Sequence, residues 1–305
     1  MSAKKNILVS VVGPTAVGKT SFAIGLANNF KTEILSADSR QFYKELKIGT
    51  AKPDQSELAA AKHHFIDSHS IEEYYNVGQF EADSLKLLDE LFERYQTVVM
   101  VGGSGLFFKA VWEGFDAMPE VDLKLRNQLN TEFQANGLEP LLKELEKNDG
   151  AYFEEVDRQN HQRVIRALEV IRSTGKPFSL FRKGQKPKNR PFDMIKIGLE
   201  MERELLFNRI NQRMDVMIDQ GLFEEAESLL PFKSHNALQT VGYSEIFGYL
   251  EGRYDKEEAI RLLKRNSRRY AKRQMTWFKK DSDMIWMHPN DLDQAIQMIQ
   301  NRLDA

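Results

Sequence analysis

Gly13-Pro14-Thr15-Ala16-Val17-Gly18-Lys19-Thr20 decides how the rest of the chain is read. It fits G-x-x-x-x-G-K-[ST], in which glycines let the backbone bend around phosphate oxygens and successive N–H groups face negative charge. The apolar run Ile7-Leu8-Val9-Ser10-Val11-Val12 leads into it. Out of it runs Ser21-Phe22-Ala23-Ile24-Gly25-Leu26-Ala27, with apolar residues at 22, 23, 26 and 27 in helical spacing. Strand, glycine loop and helix in that order are the context the pattern requires. Gly13, Pro14, Thr15, Ala16, Val17, Gly18, Lys19 and Thr20 are therefore the candidate diphosphate or nucleotide site. Lys19 adds a point charge over the terminal phosphates, and the Thr20 hydroxyl is placed to ligate Mg²⁺.

Working outward, 33–37 is a second short strand that delivers Asp38-Ser39-Arg40-Gln41-Phe42-Tyr43 to the same sheet edge. In parallel α/β sheets, sites gather beyond the carboxyl ends of strands. Asp38 is either a group for chemistry or a helix cap. The buried strand 97–101 runs into Gly102-Gly103-Ser104-Gly105-Leu106-Phe107-Phe108, where a kinase or NTPase has an acid that positions Mg²⁺. The two glycines admit either close approach of a ligand or a tight turn into a helix; Ser104 offers a hydroxyl. These elements predict an α/β fold of the P-loop NTPase-like kind, a parallel sheet flanked by helices. A small-residue loop at 47–53 carries two lysines. His63, His64, Asp67 and His69 invite a metal reading, but neighbouring histidines on a strand point to opposite faces. A helix over 79–94 carries Phe80, Leu85, Leu87, Leu88, Leu91 and Phe92 on its apolar side.

From 116 the pattern becomes helical, around 122–136 and 138–147, with no strand before 194–199. This predicts a core of 1–115 and 192–305 interrupted by an inserted, basic helical domain over 116–191. Between Arg158 and Arg190 stand ten Lys/Arg (158, 163, 166, 172, 176, 182, 183, 186, 188, 190) against Glu169 alone, whereas 139–157 is acidic. A basic run of this length that also holds Phe178 and Phe181 predicts a polyanionic partner. A helix over 203–221 sets Arg209 and Arg213 one turn apart. Arg261, Lys264, Arg265, Arg268, Arg269, Lys272 and Arg273 fill one helical stripe with cations and again call for an anion. Trp277, Phe278 and Trp286 are expected to anchor the helix end and a last strand, 284–287, to the core.

The net charge of −2 excludes a uniformly basic nucleic-acid binder. The chain has no cysteine, which excludes disulfides, thiolate metal sites and cysteine nucleophiles. No apolar run approaches the ~20 residues of a membrane span, and a cytoplasmic protein is expected.

Gly13–Thr20 and Ser36–Tyr43, with Ile48-Gly49-Thr50-Ala51-Lys52-Pro53 and Gly102–Phe107, resemble the motif set of tRNA dimethylallyltransferases, also called tRNA isopentenyltransferases. So do Gln162-Arg163-Val164-Ile165-Arg166-Ala167-Leu168-Glu169, Val241-Gly242-Tyr243 and Ala271-Lys272-Arg273-Gln274-Met275-Thr276-Trp277. The motifs occur in order over nearly the whole chain. The resemblance implies transfer of a dimethylallyl group from its diphosphate to N6 of the adenine immediately 3′ of the anticodon, in tRNAs reading codons that begin with U. It implies Asp38 as general base, Lys19, Ser104 and Arg209 around the leaving diphosphate, and Mg²⁺ as cofactor. Asp38, Ser39, Arg40, Gln41, Ser104, Arg126, Gln162, Arg163, Val164, Ile165 and Arg166 would touch the tRNA anticodon stem-loop, and the acting species would be a monomer. Ser104 stands where the family usually has threonine and keeps the hydroxyl; Phe107 stands where tyrosine is common and lacks one. The rival readings are a P-loop nucleotide or nucleoside kinase and a non-catalytic, ATP-gated RNA-binding protein.

Overall fold

The computed structural model describes residues 5–116, 118–182 and 189–305. The chain forms two compact units, Met1–Trp112 with Asn189–Ala305, and Glu113–Lys188. The first unit opens with β1 (Ile7–Val12), α1 (Lys19–Phe30), β2 (Ile34–Ser36), α2 (Gln55–Ala60), β3 (His63–His64), α3 (Val77–Arg94), β4 (Thr97–Val101) and α4 (Gly105–Glu113). The second contains α5 (Leu123–Asn136), α6 (Glu139–Asn148), α7 (Gly150–Glu155) and α8 (His161–Thr174). The first resumes with β5 (Asp193–Leu199), α9 (Arg203–Asp219), α10 (Leu222–Leu229), α11 (Tyr243–Leu250), α12 (Lys256–Phe278), β6 (Ile285–Met287) and α13 (Leu292–Asp304).

Among the described residues, six strands make one sheet in the order β3-β2-β4-β1-β5-β6, and every pairing is parallel. β1 is buried throughout because helices cover both faces. Ile7, Val9 and Val11 pack into one apolar cluster and Leu8 and Val12 into the other, as the two-residue pleat requires. Chain order reverses around β1, which lies between β4 and β5, so a crevice opens beyond its carboxyl end. Buried Ser10 is satisfied there by the Trp112 indole N–H at 2.9 Å.

The motif loop at 47–50 has a structural explanation. Glu225 on α10 accepts hydrogen bonds from the backbone N–H groups of Lys47 (3.0 Å), Ile48 (2.9 Å) and Gly49 (3.0 Å) and from the Tyr243 hydroxyl (2.7 Å). A Cβ on Gly49 would stand 2.6 Å from the Tyr243 ring, so this motif glycine is there to let the phenol pass. Lys52 is used internally, donating to the Tyr43 carbonyl and to Asp67. Glu225→Ala strands these donors and is expected to lower stability by about 2–3 kcal/mol in chemical denaturation. A loss under about 0.5 kcal/mol, the scale of a surface substitution, would contradict this.

His64 pairs with Glu33 at 2.6 Å and His63 with the Ala61 carbonyl at 2.8 Å. No group of three or more His, Asp or Glu among the described residues is arranged to hold a metal. No helix among the described residues is long and apolar enough to cross a membrane.

Two charge arguments need correction. In the basic run, Arg172 is held by both Glu132 and Glu144, Arg158 by Glu154, Arg182 by Glu155 and Arg166 by Glu169. Arg190, in the first unit, pairs with Glu81. The acidic stretch thus supplies much of the counter-charge, and the run does not by itself demand a polyanion; Lys183, Lys186 and Lys188 lie outside the described residues. On α12, Arg261 and Lys264 are paired with Glu258 and Asp215, while Arg268 donates to the neutral Asn211 amide, so two of the seven stripe cations are already compensated within the protein. Trp277 is also not an anchor: it is 40% exposed, while Phe278 is buried.

Candidate functional site

α1 begins at Lys19 directly after Gly18, whose φ of 110° is left-handed, and no side chain caps the helix. Its first backbone donors are thus turned to the crevice without a protein acceptor from a cap. Gly13 is required by crowding as well as by its φ of 146°: a Cβ there would stand 2.6 Å from the Leu199 carbonyl oxygen.

The crevice is a cavity of about 390 Å³ lined by Thr15, Gly18, Lys19, Thr20, Asp38, Gln41, Arg209, Arg213, Tyr270 and Gln274, among others. Lys19 Nζ donates to the Pro14 carbonyl at 2.8 Å, which curls the lysine back over its own loop. Burial holds Lys19 down to about 7; Arg213 adds to the shift and Asp38 partly opposes it. That displacement is worth ~5 kcal/mol between the two protonation states. Burial likewise lowers Arg213, with Asp38 opposing and Arg209 adding. Burial and then the Asp38 charge push Tyr270 up to about 12. Two half-buried, poorly hydrated cations thus have Asp38 as their opposing charge, an arrangement that favours a bound polyanion.

Asp38 does not cap a helix. Its Oδ1 accepts from the Arg40 backbone N–H at 3.0 Å, closing a turn at the end of β2, and no described residue hydrogen-bonds to Oδ2. Ser104 stands behind the cavity wall: its hydroxyl accepts from the Ser39 N–H at 2.9 Å, tying the β4 end to the turn that carries Asp38. Arg209 lies over the glycine loop, with Nη2 3.9 Å from where a Cβ on Gly18 would stand.

Several sequence expectations are corrected here. Space beside Gly102 and Gly103 is filled by the chain itself: a Cβ would meet the Ala37 carbonyl oxygen at 2.3 Å and Gln274 Nε2 at 2.2 Å. Those glycines make room for the chain itself, while the Gly102 backbone still lines the cavity. Gln41 is spent internally, accepting from the Ser36 hydroxyl and donating to the Thr50 and Ala51 carbonyls. Its amide hydrogens are thereby engaged, although the side chain still lines the cavity. Val164 and Ile165 are 0% and 2% exposed in the second unit's core; as inward positions of α8 they cannot present side chains to RNA. Gln162 and Arg163 are exposed, while Arg166 and Arg126 are half-buried beside the buried Glu169. Phe107 stacks on Phe80 at 4.4 Å between ring centroids and is 7% exposed, so its missing hydroxyl belongs to the core.

Three lining residues went unassigned from sequence. Gln274, 6% exposed, accepts from the Thr15 N–H at 2.8 Å and donates to the Gly103 carbonyl at 3.0 Å, latching the glycine loop to the β4 end. Arg213 Nη2 donates to the Thr15 hydroxyl. Its spacing from Arg209 was the available signal for Arg213, and a quoted motif for Gln274; Tyr270 had none.

A family profile described as IPP transferase matches residues 41–281. The tRNA dimethylallyltransferase of Cytophaga hutchinsonii is 52% identical over 303 residues, 99% of each chain. The crystal structure of the full-length tRNA isopentenylpyrophosphate transferase of Bacillus halodurans aligns at a TM-score of 0.73 and 36% identity, over 98% of this chain and 97% of that one. A eukaryotic dimethylallyltransferase acting on tRNA aligns at 0.76 and 25% identity, over 95% and 75%.

Proposed function

The chain belongs to the tRNA dimethylallyltransferase family, and from that premise we propose how its own residues carry the reaction. The dimethylallyl group passes from its diphosphate to N6 of the adenine immediately 3′ of the anticodon. The allylic C–O bond breaks, the N6–C bond forms, diphosphate leaves and N6 gives up one proton. The observation that carries the reading is the gathering of half-buried Lys19 and Arg213 with Asp38 around one cavity.

The diphosphate lies on the backbone donors of 13–20, with Lys19, Arg209 and Arg213 around its oxygens, where they oppose the charge that grows as the C–O bond breaks. A single hydroxyl, that of Thr20 in the first turn of α1, suits Mg²⁺, which takes one or two protein ligands and completes its shell with phosphate oxygens and water. When bound, the ion neutralises charge on the leaving diphosphate. Adenine N6 is a weak nucleophile because its lone pair is delocalised into the ring, so Asp38 Oδ2 removes its proton as the new bond forms. Ser104 fixes the Asp38 turn and keeps its O–H for donation. The target adenine must leave its stack to reach the cavity. Ser39 and Arg40 beside Asp38 meet it, and Gln162, Arg163, Arg166 and Arg126 are the second unit's contacts to the tRNA. In this reading the acting species is a monomer, working in the cytoplasm on its tRNA substrate.

Proton linkage tests this. At pH 8 Lys19 is largely neutral in the ligand-free protein, whereas the diphosphate, with its last pKa near about 6, is ionised. Binding restores the ammonium, so dimethylallyl diphosphate is expected to take up close to one proton per site at pH 8. The uptake should fade toward pH 6, where Lys19 is already charged. Calorimetry in two buffers of different ionisation enthalpy reads this directly; equal heats at pH 8 would sink the assignment.

A further inference from the structure

Of His63, His64 and His69, His63 lines the cavity that holds the glycine loop. β3 pairs it beside Ile34 of β2, and register partners on neighbouring strands face the same way. Ile34 packs into the apolar cluster under α1. His63 therefore lies on the face of the sheet where α1 begins, as does Ser36, two residues beyond Ile34. This arm of the cavity holds the hydroxyls of Thr20 and Ser21, Ser36, Glu57 and His63. The set accepts and carries negative charge, where the side around Arg209 and Arg213 is cationic. No described residue hydrogen-bonds to the Thr20 or Ser21 hydroxyl. Glu57 Oε2 accepts from the Asp54 N–H at 3.0 Å, which caps α2 and leaves Oε1 to the arm. His63 Nδ1 lies 2.8 Å from the Ala61 carbonyl oxygen, so Nδ1 carries the hydrogen and Nε2 keeps its lone pair. Nε2 is buried and has no partner. Burial also pushes the ring below the ordinary histidine range, which keeps that lone pair unprotonated.

A buried acceptor without a donor calls for one. Mg²⁺ dehydrates reluctantly and keeps several waters beside its few protein ligands, and each of those waters needs acceptors for its hydrogens. A kinase or NTPase meets that need with an acid after the strand that is β4 here, where this chain has Gly102 and Gly103. We infer that His63 is a positioning residue for the ion: its Nε2 accepts from a water on the Mg²⁺ held by Thr20 and the diphosphate, with the Glu57 carboxylate as nearby counter-charge. The inference rests on the diphosphate and Mg²⁺ reading and names the residue that stands in for the missing acid. Fixing one ring nitrogen on a backbone carbonyl is the usual way to aim the other at a metal site. A direct bond from the imidazole is not expected, because Mg²⁺ takes oxygen ligands. His63 thus touches neither the diphosphate nor the adenine and acts through water alone.

The test is calorimetry of inorganic diphosphate binding to the full-length protein, in saturating Mg²⁺ and in EDTA. The ratio of the two Kd values is the factor by which the ion tightens binding. His63→Leu keeps bulk and removes the acceptor; it is expected to cut that factor by about 10- to 100-fold and to leave the Kd in EDTA unchanged. His63→Gln, whose amide oxygen can take the place of Nε2, should recover most of the loss. In wild-type protein, adding Mg²⁺ to the diphosphate complex should shift the nitrogen NMR resonance of His63 Nε2 and leave Nδ1 protonated. A wild-type factor in His63→Leu would overturn the inference. So would an equal loss with and without the ion, a His63→Gln no better than His63→Leu, or an unmoved Nε2 resonance. Wild-type protein indifferent to Mg²⁺ would overturn the Thr20 assignment together with the inference. A factor that depends on His63 in a protein that transfers nothing to tRNA would overturn the transferase reading and leave His63 in its role.

Discussion

Asp38→Asn is expected to lower kcat for transfer by about 10²- to 10⁴-fold, the range of a general base, while tRNA still binds. The substitution is nearly isosteric, and the amide oxygen can still accept from the Arg40 N–H that closes the turn. What it loses is basicity at the atom facing the cavity. The second consequence has the opposite sign. Asp38 is the group that opposes the lowered pKa of Lys19 and of Arg213. Removing its charge leaves the cations less compensated, so affinity for the diphosphate should hold or tighten. Slow turnover with undiminished binding of both substrates is the signature. Weakened tRNA binding with normal turnover at saturation would place Asp38 in recognition instead.

Lys19→Met carries the second large effect. Lys19 is half-buried in the first turn of α1, and its ammonium is held over the loop that cradles the phosphates by its bond to the Pro14 carbonyl. Removing such a preorganised charge is expected to cost kcat/KM about 10²- to 10³-fold. The loss should fall mainly on kcat, because charge on the diphosphate is greatest in the transition state. Affinity for tRNA alone should be unaffected, and proton uptake at pH 8 should vanish. A raised KM with intact kcat would mean that Lys19 binds ground and transition states alike.

The core of the fold was legible because its signals are local. Val12 to Lys19 carry strand end, glycine loop and helix start in eight residues, and Asp38 follows from the next strand end. What could not be read is what arrives from elsewhere. Gln274 reaches the glycine loop from a helix more than 250 residues downstream, and its amide occupies the room beside Gly103 that the sequence left open to either a ligand or a turn. The block at 162–166 was read as a continuous contact, yet a helix turns Val164 and Ile165 inward while Arg163 faces out. The cationic stripe misled for a similar reason. Lys264 and Arg268 meet Asp215 and Asn211 on α9, and such cross-helix partners leave no trace in linear charge counts.

The central claim is that the cavity holds a diphosphate as leaving group and transfers carbon, not phosphorus. Incubation of the protein with unmodified tRNA, Mg²⁺ and dimethylallyl diphosphate, without ATP, followed by mass analysis of the anticodon fragment, tests it directly. The account predicts a gain of one dimethylallyl group in place of one hydrogen, on the adenine immediately 3′ of the anticodon. An unchanged fragment, together with ATP-dependent phosphorylation of a small acceptor, would contradict it.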